Sequence, residues 1–425
     1  MSLIVQKFGG SSVADADGIK RVAQRIVDTH KAGNRVVAVV SAMGDTTDEL
    51  IDLAASVTDE PTLREMDILL SAGERISMAL LAMAVTDLGV HAYAFTGPQA
   101  GLHTDTAYGA ASIVGVVPER IARVLQANEI AIIAGFQGVN RHDDVTTLGR
   151  GGSDTTAVAF AAALRADVCE IYSDVDGVFT ADPRICKSAR QIPALTYEET
   201  LEMAAHGAKI LHLRAVEYAR RYDVPLHVRS SFSKKEGTWI VNETTRSRWD
   251  GDNETPMISG ISHDTSQAKI TITGVPDEPG AAARIFQVVA DAGSSIDMIV
   301  QNVPVNRPGQ ATISFTLPIS DVKRAVYALE QERADLGFGQ ILQDDGVGIL
   351  SLIGTGMRSH PGVTAKFFAA LAEAGINIDL ISTSEIRIST VLDARDVPEA
   401  VRVVHKAFDL DAEEEEAIVY GGTGR

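Results

Sequence analysis

Short apolar runs that break off into small and polar residues recur through the first half of the chain. Leu3-Ile4-Val5 leads into Lys7-Phe8-Gly9-Gly10-Ser11-Ser12, Arg35–Val40 into Ser41-Ala42-Met43-Gly44-Asp45-Thr46-Thr47, Ile130–Ala134 into Gly135-Phe136-Gln137-Gly138, and residues 168–172 into Ser173-Asp174-Val175-Asp176-Gly177. Helical spacing fills the gaps. Ile19, Val22, Ala23, Ile26 and Val27 share one face ahead of Gly33-Asn34, a long helical region follows Pro61, and residues 119–127 and 157–165 read as further helices. With another run at 91–95, strands alternate with helices, which dictates an α/β fold built on a mostly parallel sheet. Open sheets of that kind bind ligands at the carboxyl ends of their strands, where these polar breaks fall.

Those loops carry residue types suited to anions. Lys7 beside Gly9, Gly10 and Ser11 puts a cation next to bare backbone at a strand-to-helix turn, the arrangement that holds phosphate; the alternative is a tight turn with a solvated lysine. Ser41 and Thr47 are within reach of a phosphate or substrate, or Thr47 caps a helix from about Asp48. Glu74 sits in an apolar helical stretch, either paired with Arg75 or a nearby base or functional, and Ala72-Gly73 before it permit a close approach. In Thr147-Leu148-Gly149-Arg150-Gly151-Gly152-Ser153-Asp154 the arginine between glycines suits bidentate capture of a carboxylate or phosphate, with Ser153 or Asp154 as the expected cap of the next helix. The acidic stretch 173–184 lacks the spacing and terminal glutamate of an EF-hand, so calcium is set aside.

Composition narrows the class. A chain of 425 residues, 45% hydrophobic and 22% charged, is long enough for several cored domains, and its net charge of −19 argues against nucleic acid or an anionic membrane as partner. Any anionic ligand then needs a local basic pocket. Cys169 and Cys186 are too few for a disulfide framework or zinc cluster; with no signal-peptide pattern and no apolar span of about 18 residues, the expected location is the cytoplasm.

The second half begins after a polar stretch, 242–254, that reads as a linker, with a new domain from about Met257. Beyond it the chain repeats itself. Pro279-Gly280, Ala292-Gly293 and Asp297 are echoed by Pro361-Gly362, Ala374-Gly375 and Asp379 at a constant offset of 82 residues, the mark of one supersecondary unit used twice. Each copy reads as strand, Pro-Gly turn, amphipathic helix and further strands, and the acidic run 411–416 as a solvated loop.

Taken together, Lys7–Ser12, the Thr147–Asp154 stretch, Tyr172-Ser173-Asp174-Val175-Asp176-Gly177 and His206-Gly207-Ala208-Lys209-Ile210-Leu211-His212 resemble, in this order, the motifs of the aspartokinase family, of the amino acid kinase fold; the tandem repeats resemble ACT ligand-binding modules. The resemblance spans the chain, with Leu213 standing where many members have proline. P-loop and protein-kinase signatures are missing.

The resemblance implies a catalytic domain at 1–241, a linker at 242–256 and ACT domains at 257–345 and 346–425 whose strands are free to interleave. It implies phosphorylation of the L-aspartate β-carboxylate by ATP with Mg2+, the metal carried by the nucleotide, at the entry to lysine, threonine and methionine synthesis. Lys7 would stabilise the transferring phosphoryl group, Asp154 orient Lys7, and Gly9, Gly10 and Ser11 cradle phosphates, while Lys209 neutralises ATP oxygens. Ser173, Asp174, Phe179 and Arg184 would line the nucleotide site. Arg150 would hold the substrate α-carboxylate and Glu74 its ammonium, with Ser41, Thr47, Phe136, Gly151, Gly152 and Ser153 as further contacts. It also implies feedback regulation with lysine and threonine as effectors, lysine near Asp277, Ala282, Asp297, Gln301, Ser384 and Glu385, and threonine near Gln301, Asn377 and Ile378. The resemblance is to the larger subunit of its type, so either a homo-oligomer or a heterotetramer with an ACT-only chain started at Met257 is expected. A kinase acting on glutamate or N-acetylglutamate, and a non-catalytic amino acid sensor, are the rival readings; a fused homoserine dehydrogenase is not expected.

Overall fold

The computed structural model describes residues 1–208, 211–246, 257–303, 309–355, 357, 360, 362–412 and 419–420. The chain divides into two compact units, one of residues 1–205, 209–254 and 412–425, the other of 206–208 and 255–411.

The first unit contains β1 (Leu3–Phe8), β2 (Arg35–Val40), β3 (Ala92–Phe95), β4 (Leu102–Thr104), β5 (Ile113–Val116), β6 (Ile130–Ala134), β7 (Gln137–Val139), β8 (Val145–Thr147), β9 (Val168–Ser173), β10 (Ala194–Thr196), β11 (Leu226–Ser230) and β12 (Thr238–Val241). Eight of them form one sheet in the order β10-β12-β11-β9-β1-β2-β6-β3, and β5-β4-β7-β8 form a smaller one. In the large sheet every neighbour is parallel except β11 with β12. Helices on both faces leave no polar side to its centre, so Val36 to Val40 and Ile130 to Ala134 are wholly buried. Helix Ala16–Lys31 turns Ile19, Val22, Ala23, Ile26 and Val27 inward and is capped by Asp15, whose carboxylate accepts from Gly18 N at 2.7 Å.

Register places the site. Phe8 lies opposite both Val40 and Tyr172, and Val40 opposite Ala134, so four strands end level. The loops leaving them are stitched side by side: Ser41 N donates to Phe8 O, Gly135 N to Val40 O, and Gly9 N to Tyr172 O.

Three expectations change here. Helix Thr46–Val57 starts about two residues earlier than expected, with Asp45 at the cap position, so Thr47 sits inside the first turn. Helix Gly152–Leu164 likewise opens at Gly151, which leaves Ser153 and Asp154 inside it, free for other partners. Helix Leu63–Asp87 is long and apolar enough by composition to cross a bilayer, against the sequence expectation. Its buried stripe of Asp67, Ser71, Gly73, Glu74, Ser77, Leu81 and Val85 packs into the unit, which is how a core helix behaves. Cys169 and Cys186 are both buried and outside any disulfide, and burial pushes the Cys169 thiol well up.

The second unit holds β13 (Met257–Asp264), β14 (Gln267–Pro276), β15 (Ile299–Asn302), β16 (Gln310–Pro318), β17 (Gln340–Asp344), β18 (Val347–Thr355), β19 (Leu380–Thr383) and β20 (Arg387–Asp393). They make two antiparallel sheets, β15-β16-β14-β17 and β13-β18-β20-β19. The repeat is plain in space: β14, helix Ala281–Asp291, β15 and β16 match β18, helix Gly362–Glu373, β19 and β20. β13, the first strand of this unit, pairs with β18, so the chain supplies an edge of the second sheet before it builds the first. The linker begins as a helical turn, Glu243–Arg246, whose Arg246 is buried 3.8 Å from Glu199; residues 247–256 lie outside the described residues. Of the acidic run, Asp411 meets His405 Nδ1 at 3.1 Å, and 413–416 lie outside the described residues.

Candidate active site

β1 points Lys7 out at the sheet's carboxyl end, where its ammonium stands 2.6 Å from Asp154 in the first turn of helix Gly152–Leu164. Both side chains are about nine-tenths covered, at 12% and 11% exposure, so water screens the pair weakly and the lysine is held in one place. Gly10–Val13 forms a short 3-10 turn behind it. The Gly9 N–H is already spent on Tyr172 O at 3.3 Å, which corrects its assignment as a free donor. Among the described residues the N–H groups of Gly10 and Ser11, which open the turn, have no backbone carbonyl partner. A Cβ at Gly10 would stand 3.0 Å from Gly44 O and 3.1 Å from Ala42 O, so glycine there allows the 41–47 loop to close on the turn.

That loop meets helix Leu63–Asp87 at Gly73, where a Cβ would come within 2.7 Å of Ala42 Cβ; the close approach foreseen at Ala72-Gly73 is that of Ala42. The next residue, Glu74, is 3% exposed; its Oε1 accepts from Ala42 N at 3.1 Å, while its Oε2 is buried with no hydrogen-bond partner among the described residues. Arg75 points elsewhere and is exposed. Burial pushes the Glu74 carboxyl up to about 7, against the pull of its own and Ala42's N–H groups. A cation brought to Oε2 restores the charge that burial disfavours. Ser77 adds a bond to Ser41 O at 2.7 Å.

Arg150 projects, exposed, from between Gly149 at φ +75° and Gly151 at φ +69°, two left-handed positions open to glycine. Among the described residues no carboxylate pairs with it. Gly135 lies so close to Ser153 that a Cβ would sit 2.6 Å from its hydroxyl, and Phe136 holds a left-handed φ of +69° that is costly for an aromatic residue. Lys7, Gly10, Ser11, Ser41 and Phe136 thus come from the level ends of β1, β2 and β6, Glu74 from helix Leu63–Asp87, and the Arg150–Ser153 segment with Asp154 from the loop after β8 and the first turn of helix Gly152–Leu164.

On the other flank, Ser173 ends β9 and Asp174 follows it, both half-buried, and Arg184 is exposed. Phe179 is 3% exposed and bridges Gln191 by its backbone, so its ring serves the fold rather than lining an open surface. Lys209 lies outside the described residues. Two charged residues escaped the sequence reading: Asp67, buried on the same helix stripe as Glu74, and Arg214, in the first turn of helix Leu213–Tyr222. Asp67 had a signal, since it precedes Glu74 by two helical turns; Arg214 had none.

In the second unit the candidate effector residues are mostly exposed: Asp277, Asp297, Gln301, Asn377, Ser384 and Glu385 face solvent, and Ala282 packs on the first module's core. A cavity of about 480 Å³ is lined by residues of β15, β16 and β19 with Ile378 and Asp379, so it gathers both modules, and of the expected residues it includes Ile378. Asp297 also lies 3.5 Å from His206 Nε2.

Comparison with known proteins agrees with this architecture. The amino acid kinase family model matches residues 2–230 and the ACT domain model matches 270–332 and 350–408. Aspartokinase of Mycolicibacterium smegmatis is 57% identical and that of Corynebacterium glutamicum 55% identical, each over all of both chains. The solved structure of E. coli aspartokinase III with aspartate and ADP covers 96% of this chain and 100% of its own at a TM-score of 0.81; at 24% identity that likeness speaks to the fold. From its matched domains and from relatives alike along their whole length, the chain belongs to the aspartokinase family.

Proposed function

We propose that this chain transfers the γ-phosphoryl group of ATP to the β-carboxylate of L-aspartate, giving 4-phospho-L-aspartate, and that its ACT modules place the step under lysine and threonine control. The observation that carries the substrate assignment is the opposed pair at the strand ends: an exposed arginine on a glycine loop and a buried carboxylate with one unmet oxygen. An α-amino acid presents the complements, a carboxylate for the Arg150 fork and an ammonium for Glu74 Oε2.

The acceptor needs no base, because a carboxyl of pKa about 4 is ionised at neutral pH. What opposes reaction is negative charge approaching negative charge, so rate comes from alignment and neutralisation. Lys7, fixed by Asp154, stabilises the transferring phosphoryl group, and the Gly10 and Ser11 N–H groups support the phosphates. Ser41 and Thr47 border the acceptor side. Ser173, Asp174 and Arg184 serve the nucleotide with Lys209, whose role rests on the sequence motif. Since Lys7 already answers Asp154, a triphosphate needs cationic charge of its own, which Mg2+ carried by the nucleotide would supply, with no protein ligand assigned. The mixed cavity of the ACT unit suits small amino acids, and the chain works in the cytoplasm as a homo-oligomer or with an ACT-only chain begun at Met257.

Release of ADP from ATP and Mg2+ with a panel of aspartate, glutamate and N-acetylglutamate tests the reading. Turnover with aspartate alone is expected; turnover with glutamate but not aspartate overturns it. Mass spectrometry of the protein made from the intact gene tests the second chain, which a single full-length species would remove.

A further inference from the structure

The loop that carries Arg150 has little stiffness of its own, since left-handed glycines flank the arginine on both sides. Its order is imported from two charged side chains of opposite sign. Asp67, fully buried, accepts the Thr147 N–H at 3.0 Å and the Thr147 hydroxyl at 2.6 Å, and takes the Gly109 N–H at 3.0 and 3.1 Å on its two oxygens. Arg214 donates from Nη1 to Leu148 O at 2.7 Å and from Nη2 to Ala111 O at 2.9 Å. Ala111 N closes the lattice by donating to Thr147 O at 2.9 Å. Two successive residues, Thr147 and Leu148, are therefore gripped by a carboxylate and a guanidinium, and each grip is braced on the 109–111 segment. The His212 ring adds a wall: a Cβ on Gly151 would stand 2.1 Å from its Cγ.

Such a pair is an expensive way to hold an ordinary surface turn. A buried carboxylate must recover its hydration from hydrogen bonds, and every hydrogen bond described for Asp67 goes to this loop and its brace. Arg214 behaves in the same way: among the described residues its guanidinium forms no ion pair and bonds only backbone carbonyls. The segment gripped ends two residues before Arg150. A fork that binds a carboxylate in two-point fashion loses its advantage when misplaced by an ångström or so, and fixing its backbone removes that freedom before substrate arrives.

We infer that Asp67 and Arg214 are positioning residues for substrate, a clamp that sets Arg150 at the distance and angle the amino acid's α-carboxylate requires without touching it. This rests on the reading of Arg150 as the carboxylate-binding arm. The clamp acts on aspartate and not on ATP, because neither residue bonds the Gly10–Val13 turn or the segment after β9.

Steady-state kinetics on the full chain test it, with Arg214→Gln, Arg214→Lys, Asp67→Asn and Arg150→Lys compared alongside thermal melting. Arg214→Gln and Asp67→Asn should each raise the aspartate KM about tenfold while the ATP KM stays within about twofold, and Arg214→Lys, able to reach one carbonyl, should recover part of the loss. If Arg214→Gln does not fold, Arg214→Lys and Asp67→Asn carry the same expectation. Variants that melt lower but keep the wild-type aspartate KM, or that raise both KM values alike, overturn the clamp. A response at Arg150 with none at Asp67 and Arg214 sinks the clamp alone, whereas an unmoved aspartate KM in Arg150→Lys sinks the reading of Arg150 and the clamp together.

Discussion

In the kinase unit the candidate charges nearest the strand ends are sunk into the fold, with Lys7 and Asp154 nearly covered and Glu74 buried, while Arg150 alone of the substrate pair stays exposed. In the ACT unit the candidate effector residues stand in the open, and the strands beside them, β15 and β19, are edge strands with exposed positions. The difference follows from sheet type. A parallel sheet covered on both faces has its strand ends set level by register, so one chain completes the site. A four-stranded antiparallel sheet leaves an unpaired row of N–H and C=O groups at its edge, which another chain can satisfy. The first region should therefore behave as a prebuilt site that single substitutions break outright, and the second as a half-built one that single substitutions detune.

The largest effect belongs to Lys7→Ala, which removes charge needed chiefly in the transition state. Its kcat should fall on the order of a hundredfold or more with the circular dichroism spectrum unchanged. Near-normal turnover would reduce Lys7 to a solvated turn residue. Arg150→Lys comes next, with a rise of about tenfold in aspartate KM, since an ammonium cannot copy the two-point fork; initial-rate kinetics at saturating ATP report it.

Glu74 gives the prebuilt site a pH signature. Burial holds its free-state carboxyl at about 7, and a bound ammonium favours the charged form, so binding lowers that value. Aspartate should therefore bind best above pH 7 and lose affinity below it, with KM rising about fivefold from pH 7 to pH 6, where neither aspartate carboxylate titrates. Glu74→Gln should flatten the profile at a uniformly high KM, and a pH-independent wild-type KM would take the ammonium away from Glu74. The smallest effect on catalysis is expected in the half-built region: Asp297→Ala should leave kcat unchanged and raise the concentration of lysine plus threonine needed for half inhibition about threefold. The effectors should inhibit together more than singly, because both favour the same arrangement. Unchanged inhibition in Asp297→Ala would leave that carboxylate as loop solvation.

Much of this was legible because it repeats. Strand runs ending in Gly and Ser, helical spacing between them, and two copies of a Pro-Gly unit are periodic signals that survive in one dimension. What failed to read depends on distance or on competition for one residue type. From its spacing alone Asp154 looks like a helix cap, because capping and binding use the same short polar side chains; it is the family motif that assigns it to Lys7, with which it pairs at 2.6 Å. The return of β13 to the second sheet is a long-range pairing with no local trace. Asp67 and Arg214 are ordinary letters until folding brings them to consecutive peptide units. One alternative was open to dismissal from sequence alone: Glu74 and Arg75 are adjacent on a helix, and neighbours at that spacing face apart.

The central claim is phosphoryl transfer onto a carboxylate by a site complete within one chain. Acyl phosphates react with hydroxylamine to give hydroxamates, so the product can be trapped as it forms. Wild-type protein with ATP, Mg2+ and aspartate should yield the β-hydroxamate of aspartate in step with ADP release, and Lys7→Ala should yield almost none. ADP release with no hydroxamate, or equal hydroxamate from Lys7→Ala, would contradict the account.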